Sequence, residues 1–148
     1  MAKTLTKGRR SITGQVYLIT ACTKNREPLF SNFNLARVVV NHMKKAQQRG
    51  DLNFVSWVIM PDHFHFLISL EGDSNLSDVI GYIKGTTSHQ ICKRLNRQGG
   101  IWQAGFHDHA IRNEENIIDV ARYIVANPLR AGIVKSLKQY PHWDSIYL

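Results

Sequence analysis

Two strand-like segments that almost touch in the sequence constrain the fold of this chain most strongly. Residues 53–60 (NFVSWVIM) and His63–Leu70 (HFHFLISL) are rich in β-branched and aromatic side chains, which favour extended backbone. Only Pro61 and Asp62 separate the two segments, and proline suits a tight turn. The sequence therefore predicts an antiparallel hairpin built from two adjacent strands.

The segments around this hairpin predict an α+β fold. Pro128 is expected to end the last helix, because a proline pushes the preceding Asn127 out of helical geometry. The first six elements match the ferredoxin-like split βαβ arrangement, a four-stranded antiparallel sheet with helices on one face, and a C-terminal helix is added. The first and third strands are then central and the fourth lies at an edge. Beside the hairpin, strands are predicted at residues 14–23 and 106–112, and helices at residues 32–49, 76–96 and 114–126.

Length and charge indicate one basic globular domain. The 148 residues suit a single domain spanning residues 1–148, and the hydrophobic share of 43% is ordinary for a globular protein. Lys and Arg number 19 against 11 Asp and Glu, a formal charge of +8 that favours a polyanionic partner such as nucleic acid. In the basic N-terminal arm, residues 1–12, we expect Arg9 and Arg10 to contact this partner; a solvated tail is the alternative.

No pattern in the sequence indicates export, membrane insertion or structural zinc. The apolar runs are strand-sized, and no signal-peptide pattern follows the basic start of the chain. Cys22 and Cys92 lie far apart and form neither a zinc motif nor a disulfide framework. We therefore expect a cytoplasmic protein with reduced thiols and no membrane partner.

Two histidines in the second strand of the hairpin are candidate metal ligands. His63 and His65 are two residues apart, so in a strand both imidazoles project from the same face. Two imidazoles on one face are half of a metal site. His107 and His109 have the same spacing in the fourth strand. Spacing alone leaves both pairs open, and exposed or hydrogen-bonded histidines are the plain alternative.

A tyrosine and an asparagine in the last helix form a second candidate pair. Tyr123 and Asn127 are four residues apart and share a helical face, with Arg122 and Arg130 close by. The alternative is an amphipathic helix with a half-buried tyrosine and a capping asparagine. Taken with the histidines, the pair suits phosphodiester cleavage by a tyrosine, whose phenol titrates near ~10 and needs help from a divalent metal at neutral pH.

Three long segments carry a resemblance to a known family. The sequence resembles the HUH-type tyrosine transposases that act on single-stranded DNA, and in particular the REP-associated tyrosine transposases. The resemblance covers nearly the whole chain. The segments that carry it are RRSITGQVYLITACTKNREPLF, WVIMPDHFHFLISL and IWQAGFHDHAIRNEENIIDVARYIVANPLRAGIV.

The resemblance implies a role for each candidate residue. The histidine motif of the family falls on His63 and His65, and the nucleophile falls on Tyr123 in a catalytic helix at residues 113–127. Asn127 falls at the position of the third metal ligand. His107 and His109 then have a supporting or DNA-contacting role. Arg122 and Arg130, close to the tyrosine, are also expected to contact DNA. The expected DNA-binding residues are Arg9, Arg10, Arg122, Arg130, His107 and His109.

The resemblance also implies an activity. A nickase dependent on Mg²⁺ or Mn²⁺ would cleave and rejoin single-stranded DNA at hairpin-forming palindromic repeats, through a 5′-phosphotyrosine intermediate and a free 3′-hydroxyl. A monomer is preferred, and a homodimer with exchanged helices stays open. Two other functions also stay open: a ferredoxin-like module that binds hairpin DNA or RNA without cutting it, and a hydrolase that uses activated water.

Overall fold

The computed structural model describes residues 15–148, in which strands and helices follow the predicted order. Two short elements, the helix Asn127–Arg130 and the strand Trp143–Ser145, extend that order. Arg9 and Arg10 lie outside the described residues. In chain order the elements are β1 (Val16–Cys22), α1 (Phe33–Gln48), β2 (Leu52–Met60), β3 (His63–Leu70), α2 (Leu76–Leu95), β4 (His107–Ile111), α3 (Glu114–Val125), α4 (Asn127–Arg130) and β5 (Trp143–Ser145). Short 3₁₀ turns lie at Lys24–Arg26, Leu29–Ser31 and Leu137–Gln139.

The strands form one antiparallel sheet in the order β4-β1-β3-β2-β5. The ferredoxin-like arrangement is confirmed, with β1 and β3 central and β4 at an edge. The predicted count of four strands is wrong by one, because Trp143–Ser145 pairs with β2 and places Ser145 opposite Ser56. A strand of three residues is too short to show the alternation on which sequence patterns depend.

Two hydrophobic clusters cover the two faces of the sheet. On one face, α1 and α2 pack against alternate residues of the central strands, among them Ile19, Phe64 and Phe66, which are fully buried. On the other face, α3 inserts Ala121 and Ile124 into a smaller cluster. Burying one large apolar side chain contributes about 1.5–3 kcal/mol, so this cluster stabilises the packing of α3 on the sheet.

A buried hydroxyl ties α3 and β5 to the same strand. Ser56 in β2 is fully buried, and its Oγ lies 3.1 Å from the carbonyl oxygen of Ala121 and 3.3 Å from that of Asp144. Beside it, the Tyr140 hydroxyl donates to the carbonyl oxygen of Ile59. The segment that carries β5 and the helix α3 are thus anchored on the same strand, β2.

Asparagine side chains start the three long helices. The side-chain oxygen of Asn32 accepts from Asn34 N at 2.9 Å, and Asn75 and Asn113 cap α2 and α3 in the same way. These caps satisfy backbone donors that have no partner inside the helix. None of the helices in residues 15–148 combines the length and the apolarity that crossing a membrane requires.

The prediction for Asn127 is wrong in one respect. The helix α3 ends at Val125, close to the predicted end, but Asn127 does not leave helical geometry and instead begins α4, with Pro128 in its first turn. A proline is tolerated there because the first backbone donors of a helix have no partner inside it. Tyr123 and Asn127 therefore lie on two successive helices rather than on one.

Candidate active site

The two motif histidines lie together on the face of the sheet that carries α3. His63 and His65 are half-buried, with ring centroids 5.0 Å apart and planes at 78°. Between them in sequence, Phe64 points to the opposite face and stacks on Phe66 at 3.8 Å. The alternation predicted for this strand is therefore confirmed.

Each of the two imidazoles uses its Nδ1 atom in a hydrogen bond. His63 Nδ1 lies 2.7 Å from Oδ1 of Asp62, and His65 Nδ1 lies 2.8 Å from Oγ1 of Thr20. A carboxylate only accepts, so His63 carries its proton on Nδ1 and keeps the lone pair on Nε2. The Thr20 hydroxyl can accept from or donate to His65 Nδ1, and either role leaves Nε2 of His65 outside this contact. Both rings then present Nε2 as a potential ligand.

Burial keeps His65 neutral. Desolvation is the main reason that the pKa of His65 falls from 6.5 to about 4, and electrostatic interactions with His63 and Arg130 contribute to the same shift. An imidazole must be neutral to bind a metal, so at neutral pH His65 is already in the form that a metal site needs. The burial of Asp62 opposes its ionisation, but hydrogen bonds from Arg26 and His63 outweigh this effect and lower the pKa of its carboxyl.

The neutral His65 predicts a loss of stability in acid. Its folded-state pKa of about 4 lies below the ordinary value of 6.5, so between these values the unfolded chain binds more protons. The contribution of His65 to stability is fully present above the ordinary pKa and is lost as the pH falls through the folded-state pKa. The free energy of unfolding should fall by roughly 3 kcal/mol over this range. Urea unfolding in chelator should show this loss. A His65→Asn variant should have a flatter profile there, and an identical profile would contradict the prediction.

The donor set on this face fits a divalent metal. Two imidazoles that present Nε2 from one face supply two ligands of the kind that Mn²⁺ and similar ions accept. Within residues 15–148, no three side chains drawn from His, Cys, Asp and Glu are grouped so that they could hold a metal. The predicted set of His63, His65 and Asn127 takes its third donor from an amide, which is outside that group of residue types.

The helix that carries Tyr123 packs next to the histidine pair. In β2, Val58 is paired with His65 and Met60 with His63. Both of these residues belong to the hydrophobic cluster that contains Ile124, the residue directly after Tyr123. The C-terminal half of α3 therefore lies beside the two imidazoles.

Tyr123 is exposed and is held by an arginine. Its side chain is 64% exposed, and the guanidinium carbon of Arg130 lies 3.7 Å from the centre of its ring. Arg130 Nη1 also donates to the carbonyl oxygen of Tyr123 at 2.6 Å. Because Arg130 contributes to the lowered pKa of His65, its charge acts on the tyrosine ring and on the histidine site together.

The other predicted residues lie on α3, α4 and β4. Asn127 is half-buried at the first residue of α4, and Arg122 is exposed in the last turn of α3. On the edge strand β4, His107 and His109 are exposed. His107 is paired with Thr20, which is itself paired with His65, so both histidine pairs project from the same face of the sheet.

Sequence reasoning missed the partners of the two histidines. Asp62 was considered only as a turn residue, and Thr20 and Arg26 were not singled out at all. A carboxylate directly before a candidate metal ligand was an available signal, since metal-binding histidines commonly donate their second nitrogen to such a group. The role of Thr20 depends on strand register, which spacing does not provide.

Comparisons with known proteins identify the family of this chain. The family model for IS200-like transposases matches residues 11–127. A REP-associated tyrosine transposase of Escherichia coli K12 is 31% identical over 136 residues, 90% of this chain and 78% of that protein. A Haemophilus influenzae protein assigned to the same group is 35% identical over 109 residues, 67% of this chain and 62% of that protein. This match therefore spans less than two thirds of the Haemophilus protein.

Solved structures share the fold. A REP-associated tyrosine transposase bound to a REP hairpin superposes with a TM-score of 0.78 and 27% identity, over 91% of this chain and 79% of that one. A Deinococcus radiodurans protein of known structure superposes with a TM-score of 0.57 at 18% identity, which supports the fold alone. The family match covers most of the chain, and the resemblance seen in the sequence is confirmed. The chain belongs to the IS200-like transposases, and within them to the REP-associated tyrosine transposases, a group of DNA strand transferases.

Proposed function

We propose that this chain cleaves and rejoins single-stranded DNA at hairpin-forming repeats, with Tyr123 as the nucleophile. The observation that carries the proposal is an exposed tyrosine beside two histidines that both present Nε2. The solved relative with the same fold is bound to a REP hairpin, which supports a DNA hairpin as the substrate class for this chain.

The proposed reaction exchanges one phosphodiester for another. The phenolic oxygen of Tyr123 attacks the scissile phosphorus, and the bond from phosphorus to the 3′ oxygen breaks. The phenol loses its proton, and the departing 3′ oxygen gains one to become a free hydroxyl. The 5′ phosphate is now joined to the tyrosine. Because the bond count is conserved, a 3′-hydroxyl can reverse the step and rejoin the strand.

The residues around Tyr123 prepare this step. His63 and His65, through Nε2, and Asn127, through its amide oxygen, would hold Mg²⁺ or Mn²⁺. When bound, the ion supplies positive charge that polarises the phosphate. Arg130 positions the ring of Tyr123 by stacking on it and adds positive charge next to the phosphate. Arg122, with the exposed pair on β4, is proposed to contact neighbouring phosphates, as are Arg9 and Arg10.

Covalent trapping tests the proposed function. A hairpin oligonucleotide labelled on the 3′ side of the cleavage point is incubated with protein and Mn²⁺, and then denatured. A strand transferase leaves the label on the protein, because the 5′ phosphate of that fragment is attached to tyrosine. Binding without cleavage would leave an intact oligonucleotide and favour the binding module. Cleavage without a labelled protein would favour the hydrolase.

Exchanging Arg130 is predicted to affect cleavage more than binding. In Arg130→Ala, Tyr123 loses its stacking partner, and we expect single-turnover cleavage to fall roughly 10–100-fold. Arg130→Lys keeps the charge but loses the planar stack, and should recover only part of the rate. Arg122→Ala is the matched control: it removes an exposed arginine of the neighbouring turn and should mainly weaken hairpin binding. Equal effects of the two alanine variants on both measurements would contradict a positioning role for Arg130.

A further inference from the structure

The turn that precedes His63 is fixed by a neighbouring loop. Thr23 is completely buried, and its backbone nitrogen donates to the carbonyl oxygen of Asp62 at 2.9 Å. The Thr23 hydroxyl lies 3.2 Å from the same oxygen, and Phe30 N donates to Pro61 O at 2.9 Å. The backbone position of Asp62, one residue before a proposed metal ligand, is therefore set by contacts outside its own hairpin.

The carboxylate of Asp62 joins two side chains. Its Oδ1 lies 2.7 Å from His63 Nδ1, and its Oδ2 accepts from Arg26 Nε at 2.9 Å. Both carboxylate oxygens are engaged, one with each partner. The carboxylate therefore has little freedom to rotate away from His63.

The backbone that presents Arg26 is unusual. Asn25 and Arg26 both have a positive φ, 55° and 53°, in the left-handed region. Two adjacent residues other than glycine rarely adopt a positive φ, although Asn does so more readily than most, and backbone of this kind clusters at functional sites. Here it directs the guanidinium to Asp62, with Nη1 3.5 Å from Sγ of Cys22.

We propose that Asp62 is a positioning residue for His63 and that Arg26 holds Asp62 in place. Asp62 Oδ1 accepts a hydrogen bond from the Nδ1–H group of His63. This contact leaves the Nε2 lone pair free and fixes the orientation of the ring. Without this acceptor, the neutral ring is free to carry its proton on Nε2, where it blocks metal binding. The inference rests on the proposed function only in that His63 is taken to be a metal ligand.

The tautomer of His63 gives a direct test that involves neither metal nor DNA. The ring nitrogens are observed by NMR in protein labelled with ¹⁵N-histidine, at a pH well above the usual histidine range. Asp62→Ala should move the His63 proton from Nδ1 towards Nε2 and leave His65 unchanged. Asp51→Ala is the matched control, since it removes another carboxylate paired with an arginine, Arg49 at 3.0 Å. An unchanged His63 tautomer in Asp62→Ala would overturn the proposal.

Metal affinity gives the second measurement. Mn²⁺ binding to DNA-free protein, followed by electron paramagnetic resonance, should weaken roughly 10–100-fold in Asp62→Ala and by a smaller factor in Arg26→Ala. Because DNA is absent, a loss in Arg26→Ala does not reflect a phosphate contact. Unchanged Mn²⁺ affinity in Asp62→Ala would overturn the positioning role. If the unaltered protein binds no Mn²⁺, the metal site of the proposed function fails, while the NMR result still decides how His63 is oriented.

Asp62→Asn keeps the proposal testable if the alanine variant does not fold. The amide retains the size of the side chain and one acceptor oxygen, so it should preserve the Nδ1–H tautomer of His63 and most of the Mn²⁺ affinity. Equal losses of affinity in Asp62→Asn and Asp62→Ala would show that the carboxylate itself binds the metal, and would overturn a role that acts only through His63.

Discussion

Tyr123→Phe is expected to abolish both cleavage of hairpin DNA and the covalent adduct. The substitution removes one oxygen from a side chain that is 64% exposed, and the remaining ring can still stack on Arg130. Folding stability should therefore change by less than about 0.5 kcal/mol. Binding of Mn²⁺ and of the hairpin should stay close to that of the unaltered protein. Denaturing gels of the trapped reaction measure the adduct and the free cleavage product together.

A second tyrosine supplies the control for this result. Tyr140 is buried, and its hydroxyl donates to the Ile59 carbonyl oxygen. Tyr140→Phe leaves that oxygen without this partner and should cost about 1 kcal/mol of stability, yet the adduct should still form. An adduct that persists in Tyr123→Phe would identify another tyrosine as the nucleophile. Cleavage without an adduct in that variant would establish the hydrolase instead.

Replacing either motif histidine with alanine is expected to remove metal-dependent cleavage. His63→Ala and His65→Ala each delete a proposed ligand, and Mn²⁺ affinity should fall by more than the roughly 100-fold that loss of a supporting residue costs. His107→Ala is the matched control, because it removes an exposed imidazole from the same face of the sheet. It should weaken hairpin binding and leave Mn²⁺ affinity unchanged. The opposite pattern, with metal binding lost only in His107→Ala, would move the metal site to the edge strand.

The hairpin was predictable because the residues that specify it lie close together in the sequence. Two residues separate two strand-like runs, and the observed β3, His63–Leu70, has the predicted bounds. The strand β5 was not predictable in this way, since it pairs with residues of β2 that lie far away in the chain. In the sequence Pro128 indicates the end of a helix, but a new helical turn begins one residue earlier and tolerates the proline.

The same distinction between local and long-range information applies to the candidate site. Strand alternation was enough to place His63 and His65 on one face, and the family resemblance was needed to prefer them over His107 and His109. The contact of Thr20 with His65 and the stacking of Arg130 on Tyr123 depend on register and on the packing of helices, which single-sequence patterns do not contain. The roles of Tyr123, His63, His65 and Asn127 remain predictions that the experiments above decide.

The shared anchor at Ser56 links the segment around Asp144 to the helix that carries the proposed nucleophile. One buried hydroxyl lies within hydrogen-bonding distance of both Ala121, two residues before Tyr123, and Asp144 in the last strand. Trimming or tagging the chain near Asp144 would therefore disturb the seat of α3 while most of the sheet stayed intact. We expect such a protein to fold and to bind DNA but to form the proposed covalent adduct more slowly. The position of an affinity tag is therefore expected to affect DNA cleavage as well as purification.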